Sequence, residues 1–200
     1  ANFGGNNITY RIMQFVKIKL AFYYSQEMGI SMGDHYSVFI NEILSSPEEI
    51  LNQVDKNENV YSKLEEEYQQ AEKIIPTMFE DSDNKKYAKK KEKIKRNFYY
   101  LWNLAESIKT EFYKKDELTL IGFNHLSEPT MNDNYENILD ESNLNFSIFI
   151  RNGKNFETKT NLPQISITAQ EVDDLIRGDI YRLLCRIFPK KEDADGYENT

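Results

Sequence analysis

Glu106 and Lys109 stand one helical turn apart near the end of a long amphipathic stretch of this 200-residue chain. A carboxylate and an ammonium at i and i+3 can form a surface ion pair contributing about 0.2–0.5 kcal/mol. Spacing alone requires nothing more of them. His35 and His125 lie in different segments and lack ligand spacing. With Cys185 they form a scattered set that fits structural or solvated roles better than a metal site. His35 follows Asp34, but no serine or cysteine elbow accompanies the pair, so a nucleophilic triad is not expected. The chain has no GxGxxG and no Walker loop, hence no legible phosphate cradle. Arg177-Gly178-Asp179 falls inside an amphipathic helical pattern, where the glycine is expected to permit close packing and the triplet is not a cell-adhesion signal.

Lys85, Lys86, Lys89, Lys90, Lys91, Lys93, Lys95 and Arg96 crowd one segment. Lysines outnumber the arginines that read bases, and the formal net charge is −8. The expectation is a solvated face that balances acidic neighbours such as Glu65, Glu66 and Glu67, with nucleic acid not a partner. A single cysteine excludes an intrachain disulfide. Cys185 sits in an apolar helical pattern and is expected to be an inert buried thiol. That usage suits a reducing compartment, so a cytoplasmic location is expected. No apolar run approaches the roughly 20 residues of a membrane span, and neither a membrane partner nor a signal peptide is expected. The chain opens on Ala1 and closes on the polar tail 190–200, which suggests a piece of a larger protein with a frayed end.

The pair at 106 and 109 needs a helix to carry it. Lys85 to Lys115 has neither proline nor glycine, and Ile94, Phe98, Leu101, Ala105, Ile108 and Phe112 follow one another at steps of four and three. Asp83 or Asn84 can cap its start. Before it, Gly4-Gly5-Asn6-Asn7 reads as a turn in which an asparagine caps a helix from about Ile8 to Met28. That helix is apolar nearly all round, so it should be buried. Gly29 and Gly33 bracket its exit, and Tyr36 to Leu44 is either a short helix or a strand. Ser46-Pro47-Glu48-Glu49 announces a helix ending near Val54. Asn59 caps another that Pro76 stops, and the two make a small helical hairpin.

After Lys115 the period changes. Leu118 to Phe123 reads as a strand, and the polar stretch Asn124 to Asn143 as a long loop. Phe146 to Ile150 and Phe156 to Lys159 form a hairpin around Asn152-Gly153. Ile165 to Ile167 is a further strand. Thr168 and Glu171 make a capping box, with Ile167 and Val172 as its staple, opening a helix to about Phe188 that Pro189 ends. Val172, Ile176, Ile180, Leu183, Leu184 and Ile187 are its expected inward residues. The fold class is therefore α+β, with long helices packed on a small, mostly antiparallel sheet.

Three patterns then line up in one order. Gly4-Gly5-Asn6-Asn7-Ile8-Thr9-Tyr10-Arg11-Ile12 resembles the segment that leads into a long helix in the second lobe of the seventy-kilodalton heat-shock chaperones. Leu104-Ala105-Glu106-Ser107-Ile108-Lys109 resembles that family's Glu-x-x-Lys helix end. Ile165 to Val172, followed by Arg177-Gly178, resembles its strand-to-helix junction. The resemblance implies one outer subdomain of an actin-type ATPase lobe over residues 1–189, with a helical insertion at 34–84 and a loop insertion at 124–143.

It also implies a role for the pair. In the family the matching Glu and Lys contact the nucleoside, chiefly its ribose hydroxyls. An arginine that stacks on adenine corresponds to Thr110 here, and a serine farther on corresponds to Tyr113, which offers an aromatic face instead. The nucleotide-contacting residues so implied are Glu106, Lys109 and Tyr113, and none is catalytic. ATP or ADP with Mg belongs to the full-length parent, and this piece alone should hold no nucleotide tightly. Its partner is the rest of the parent nucleotide-binding domain. The alternative is a non-enzymatic module that docks a protein through the insertions and the basic helix face.

Overall fold

The helix from Gly5 to Glu27, α1, is the element on which the others pack. The computed structural model describes residues 4–30, 46–56, 58–78, 88–112, 117–120, 147–160, 163 and 165–188. Ile12, Met13, Phe15, Val16, Ile18, Leu20 and Ala21 are all fully buried, as an all-round apolar helix requires. Around α1 lie α2 (Pro47–Asp55), α3 (Ser62–Ile74), α4 (Ala88–Glu111) and α5 (Ala169–Ile187). The strands are β1 (Glu117–Leu120), β2 (Ile148–Asn152), β3 (Asn155–Lys159) and β4 (Ile165–Thr168). β1 pairs antiparallel with β4, and β2 with β3. The class is α+β, but the strands form two separate two-stranded ladders among the described residues.

α1 packs against α4, α3 and α5. α2 lies chiefly against α5 while α3 lies against α1, so the expected hairpin of these two helices is replaced by two separate dockings. The start of α1 also differs from expectation. Gly4 is the cap residue, in extended backbone and without a side-chain bond, and Asn6 and Asn7 fall inside the first turn. The exit is as the glycine suggests. Gly29 takes φ 65°, Ile30 N–H donates to Ser25 O at 2.9 Å, and Gly29 N–H to Gln26 O at 3.0 Å. That is a Schellman closure, in which a left-handed residue satisfies the last carbonyls.

Local signals account for several other ends. Ser46 Oγ accepts from Glu49 N–H at 3.2 Å, but the Glu49 carboxylate accepts from Gln53 instead of completing a box. Asn59 does not cap α3 directly. Its side chain accepts from Tyr61 N–H at 3.1 Å, two residues ahead of the helix cap, which Tyr61 occupies. Thr168 and Glu171 form the full capping box, at 3.1 and 2.8 Å, with Ile167 and Val172 both fully buried. In the β2–β3 hairpin Asn152 pairs with Asn155, so the two turn residues are Gly153 and Lys154, with Gly153 at φ 59°. The expected strand or helix at 36–44, the cap at 83–84, the loop at 124–143, and Pro189 with the tail lie outside the described residues.

The last helix corrects two expectations. Val172 and Ile176 are buried, but Ile180, Leu183, Leu184, Ile187 and Phe188 are exposed, Phe188 to 71%. Cys185 is exposed as well. Only the first half of α5 faces α1 and β4, so its apolar period outruns its described neighbours.

One buried amide ties three elements. Asn97, on α4, donates to Pro76 O at 2.8 Å and Phe149 O at 2.7 Å, and accepts from Phe149 N–H at 2.8 Å. It thereby docks β2 and the end of the α3 segment on α4. Asn97→Ala leaves those backbone groups unpaired in a dry site. We expect a loss of about 2–3 kcal/mol in urea unfolding, since each net hydrogen bond contributes about 1 kcal/mol and orphaned groups add a penalty. A loss under 0.5 kcal/mol would contradict that role.

Candidate functional site

Ala105 and Ile108 are fully buried and Phe112 nearly so, which fixes the rotation of the last turns of α4. The intervening positions then face the start of α1. Lys109 Nζ lies 2.7 Å from Glu106 Oε2, 2.7 Å from Thr9 Oγ1 and 3.4 Å from Gly5 O. Thr9 Oγ1 is also in hydrogen-bond contact with Glu106 Oε1, and 2.9 Å from Gly5 O. The threonine has one proton, so it donates to Gly5 O or to the carboxylate, not to both. Thr9 is fully buried, whereas the Glu106 and Lys109 side chains keep 37% and 22% of their exposure.

Burial alone would raise the Glu106 carboxyl. The hydrogen bonds from Lys109 and Thr9 outweigh it and hold the group below its ordinary value. It is an ionised acceptor at neutral pH, with lone pairs left over after Thr9 and Lys109 are counted. Lys109 directs its donors to Glu106, Thr9 and, weakly, Gly5. The site is thus a half-open carboxylate, steadied by an ammonium and a buried hydroxyl. Such a group can accept further hydrogen bonds. The one hydroxyl beside the carboxylate, that of Thr9, is fully buried and so closed to a substrate.

The two glycines are not required by crowding among the described residues. An added Cβ would meet nothing within 4 Å at Gly4, and only Lys109 Nζ, at 3.8 Å, at Gly5. Thr110 turns back on its own helix, its hydroxyl donating to Ser107 O at 2.8 Å. Tyr113 lies outside the described residues, as do His35 and His125. Among the described residues no group of three or more His, Cys, Asp or Glu is placed to hold a metal ion. No described helix is long and apolar enough to cross a membrane.

No family model matches the chain, and no curated protein or solved structure matches it. The resemblance therefore rests on the quoted residues. Two of its three segments meet here, with Gly5 and Lys109 separated by 104 residues along the chain. Thr9 was the residue missed. It stands in the first of those segments, but a threonine four residues into a helix ordinarily bonds back to its own carbonyls. Only the fold shows that it also reaches Glu106 and Lys109.

Proposed function

We propose that this chain is the nucleoside-contacting lid of the nucleotide-binding domain of a divergent, cytoplasmic, chaperone-like actin-type ATPase. Glu106 accepts hydrogen bonds from ribose hydroxyls, and Lys109 steadies it and donates to ribose oxygen. The chain supplies no phosphate-binding or hydrolytic residue, so ATP turnover with Mg belongs to the parent. The observation that carries this reading is the meeting of the Gly4-Gly5 start of α1 with the Glu106-Lys109 end of α4 at one point. Thr110 cannot stack on a base, so the aromatic face for adenine comes from Tyr113 or from elsewhere in the parent.

Magnitudes limit what the piece does alone. Two or three charge-assisted hydrogen bonds give about 1–3 kcal/mol each, against an association cost of about 4–15 kcal/mol. Calorimetry on the isolated chain is expected to show ATP binding no tighter than about millimolar. In the parent protein, Glu106→Ala and Lys109→Ala are each expected to weaken ADP binding at least several-fold. Unchanged affinity in both variants would reject the assignment.

A further inference from the structure

The first turns of α4 carry Lys89, Lys90, Lys91, Lys93, Lys95 and Arg96 against a single acid, Glu92. Glu92 pairs with Arg96 at 3.2 Å. Beside this face, Phe149 and Phe156 of the β2–β3 hairpin stack with ring centres 5.0 Å apart and planes 12° from parallel. Lys90 Nζ lies 3.8 Å from the Phe156 ring centre and the Arg151 guanidinium 5.1 Å from the same ring. Lys93 Nζ lies 5.0 Å from the Phe149 ring centre and donates to Thr158 Oγ1 at 3.3 Å. Three cations from two elements thus converge on one aromatic pair. Among the described residues no carboxylate pairs with any of the three.

Ring contact orients a cation but leaves its charge in place. The three heads repel one another, and an anion seated among them removes that repulsion. Because the rings already hold the heads, less side-chain freedom is lost on binding. We infer that this cation–aromatic patch docks a short acidic segment of a partner protein, rich in Asp and Glu. Its size selects the occupant. Residues 88–96 span about 13 Å of helix axis, the length of about four extended residues. A nucleic acid carries its charge far beyond that distance, where the rest of a chain of net charge −8 repels it. The residues involved are not those of the nucleoside site, so this inference stands or falls separately.

The test titrates the whole chain into a short fluorescent peptide of alternating Asp and Glu at low salt, read by anisotropy. A single-stranded RNA of equal charge is titrated in parallel. The peptide is expected to bind more tightly than the RNA. Combined Lys90→Ala, Lys93→Ala and Arg151→Ala should weaken peptide binding about tenfold, the sum of three modest exposed pairs. Phe156→Leu removes the ring and no charge, and should weaken it about threefold. Lys63→Ala, which removes an exposed cation of α3, should leave binding unchanged. Melting curves confirm that each variant is folded. The inference is overturned by absence of peptide binding, by tighter binding of the RNA, by wild-type affinity in Phe156→Leu, or by a loss in Lys63→Ala equal to that of the combined variant.

Discussion

Glu72→Ala is expected to cost about 3–5 kcal/mol of unfolding free energy, the largest loss of any single change in the α1–α3 contact. Lys17, on α1, has no exposed surface, and its ammonium pairs with the Glu72 carboxylate. It also donates to Thr77 Oγ1 at 2.9 Å and lies 4.0 Å from the Tyr68 ring centre. Glu72 in turn accepts from Thr77 N–H at 2.6 Å and Met78 N–H at 2.7 Å. Removing the carboxylate strands a buried cation and two backbone donors together. Lys17→Met is the milder change. It leaves Glu72 with both backbone N–H groups and the Thr77 hydroxyl, at 2.8 Å, and should cost about 1 kcal/mol. Urea unfolding of both variants checks the asymmetry, and equal losses would refute it.

The same lysine carries a pH signature. Burial lowers it from 10.5 to about 8, against the opposing pull of Glu72. A base whose folded value is depressed binds its proton more weakly in the folded state. The unfolded chain then holds the extra proton, and stability rises as pH climbs from about 8. Above pH 10 the effect is opposed. Burial raises Tyr24, Tyr61, Tyr68 and Tyr100 above their ordinary value of 10.0, so the unfolded chain ionises them first. Between about pH 8 and 10 the wild type should gain stability while Lys17→Met stays level. A parallel course for the two proteins would exclude Lys17 as the source.

Gly178→Val is expected to lose about 3 kcal/mol or more, at the upper end of overpacking effects. A Cβ on Gly178 would stand 2.7 Å from Val60 Cγ2 and 3.3 Å from the Tyr61 hydroxyl. Val60 is β-branched and stiff, so it cannot swing aside. The close approach also lets Asp179 N–H donate to the Tyr61 hydroxyl at 3.0 Å. Gly178→Ala should lose less, because alanine regains about 1 kcal/mol of helix propensity. Adding Val60→Ala to Gly178→Ala should recover part of the loss, since it removes the nearest clashing methyl. Thermal melts of the single and double variants decide the matter, and a Gly178→Val protein as stable as wild type would refute the packing account.

Features written in adjacent residues were legible in advance. The Thr168–Glu171 box, the burial of α1, the turn at Gly29 and the packing role of Gly178 all follow from local type and spacing. The failures share a cause. The apolar period of α5 continues to Phe188, but period reports which residues share a face and not whether anything covers it. Cys185 was misplaced with that face. The α2 and α3 helices were read as a hairpin because they are neighbours in sequence, whereas their partners are α5 and α1. Asn97 and Thr9 look like ordinary polar residues inside helices until distant groups are brought beside them, backbone for Asn97 and side chains for Thr9. Glu106 and Lys109 were singled out through resemblance, and their ion pair was legible from spacing. Their shared contact with Thr9 is a property of the fold.

The all-round burial of α1 has a consequence for biosynthesis. This helix precedes α3, α4 and α5 in the chain, and the residues from Glu27 to Ala88 must be added before α4 begins to cover it. At about 5–20 residues per second, a nascent chain presents that apolar surface to solvent for several seconds. The helix that organises the finished fold is therefore exposed until the partners that cover it have been synthesised.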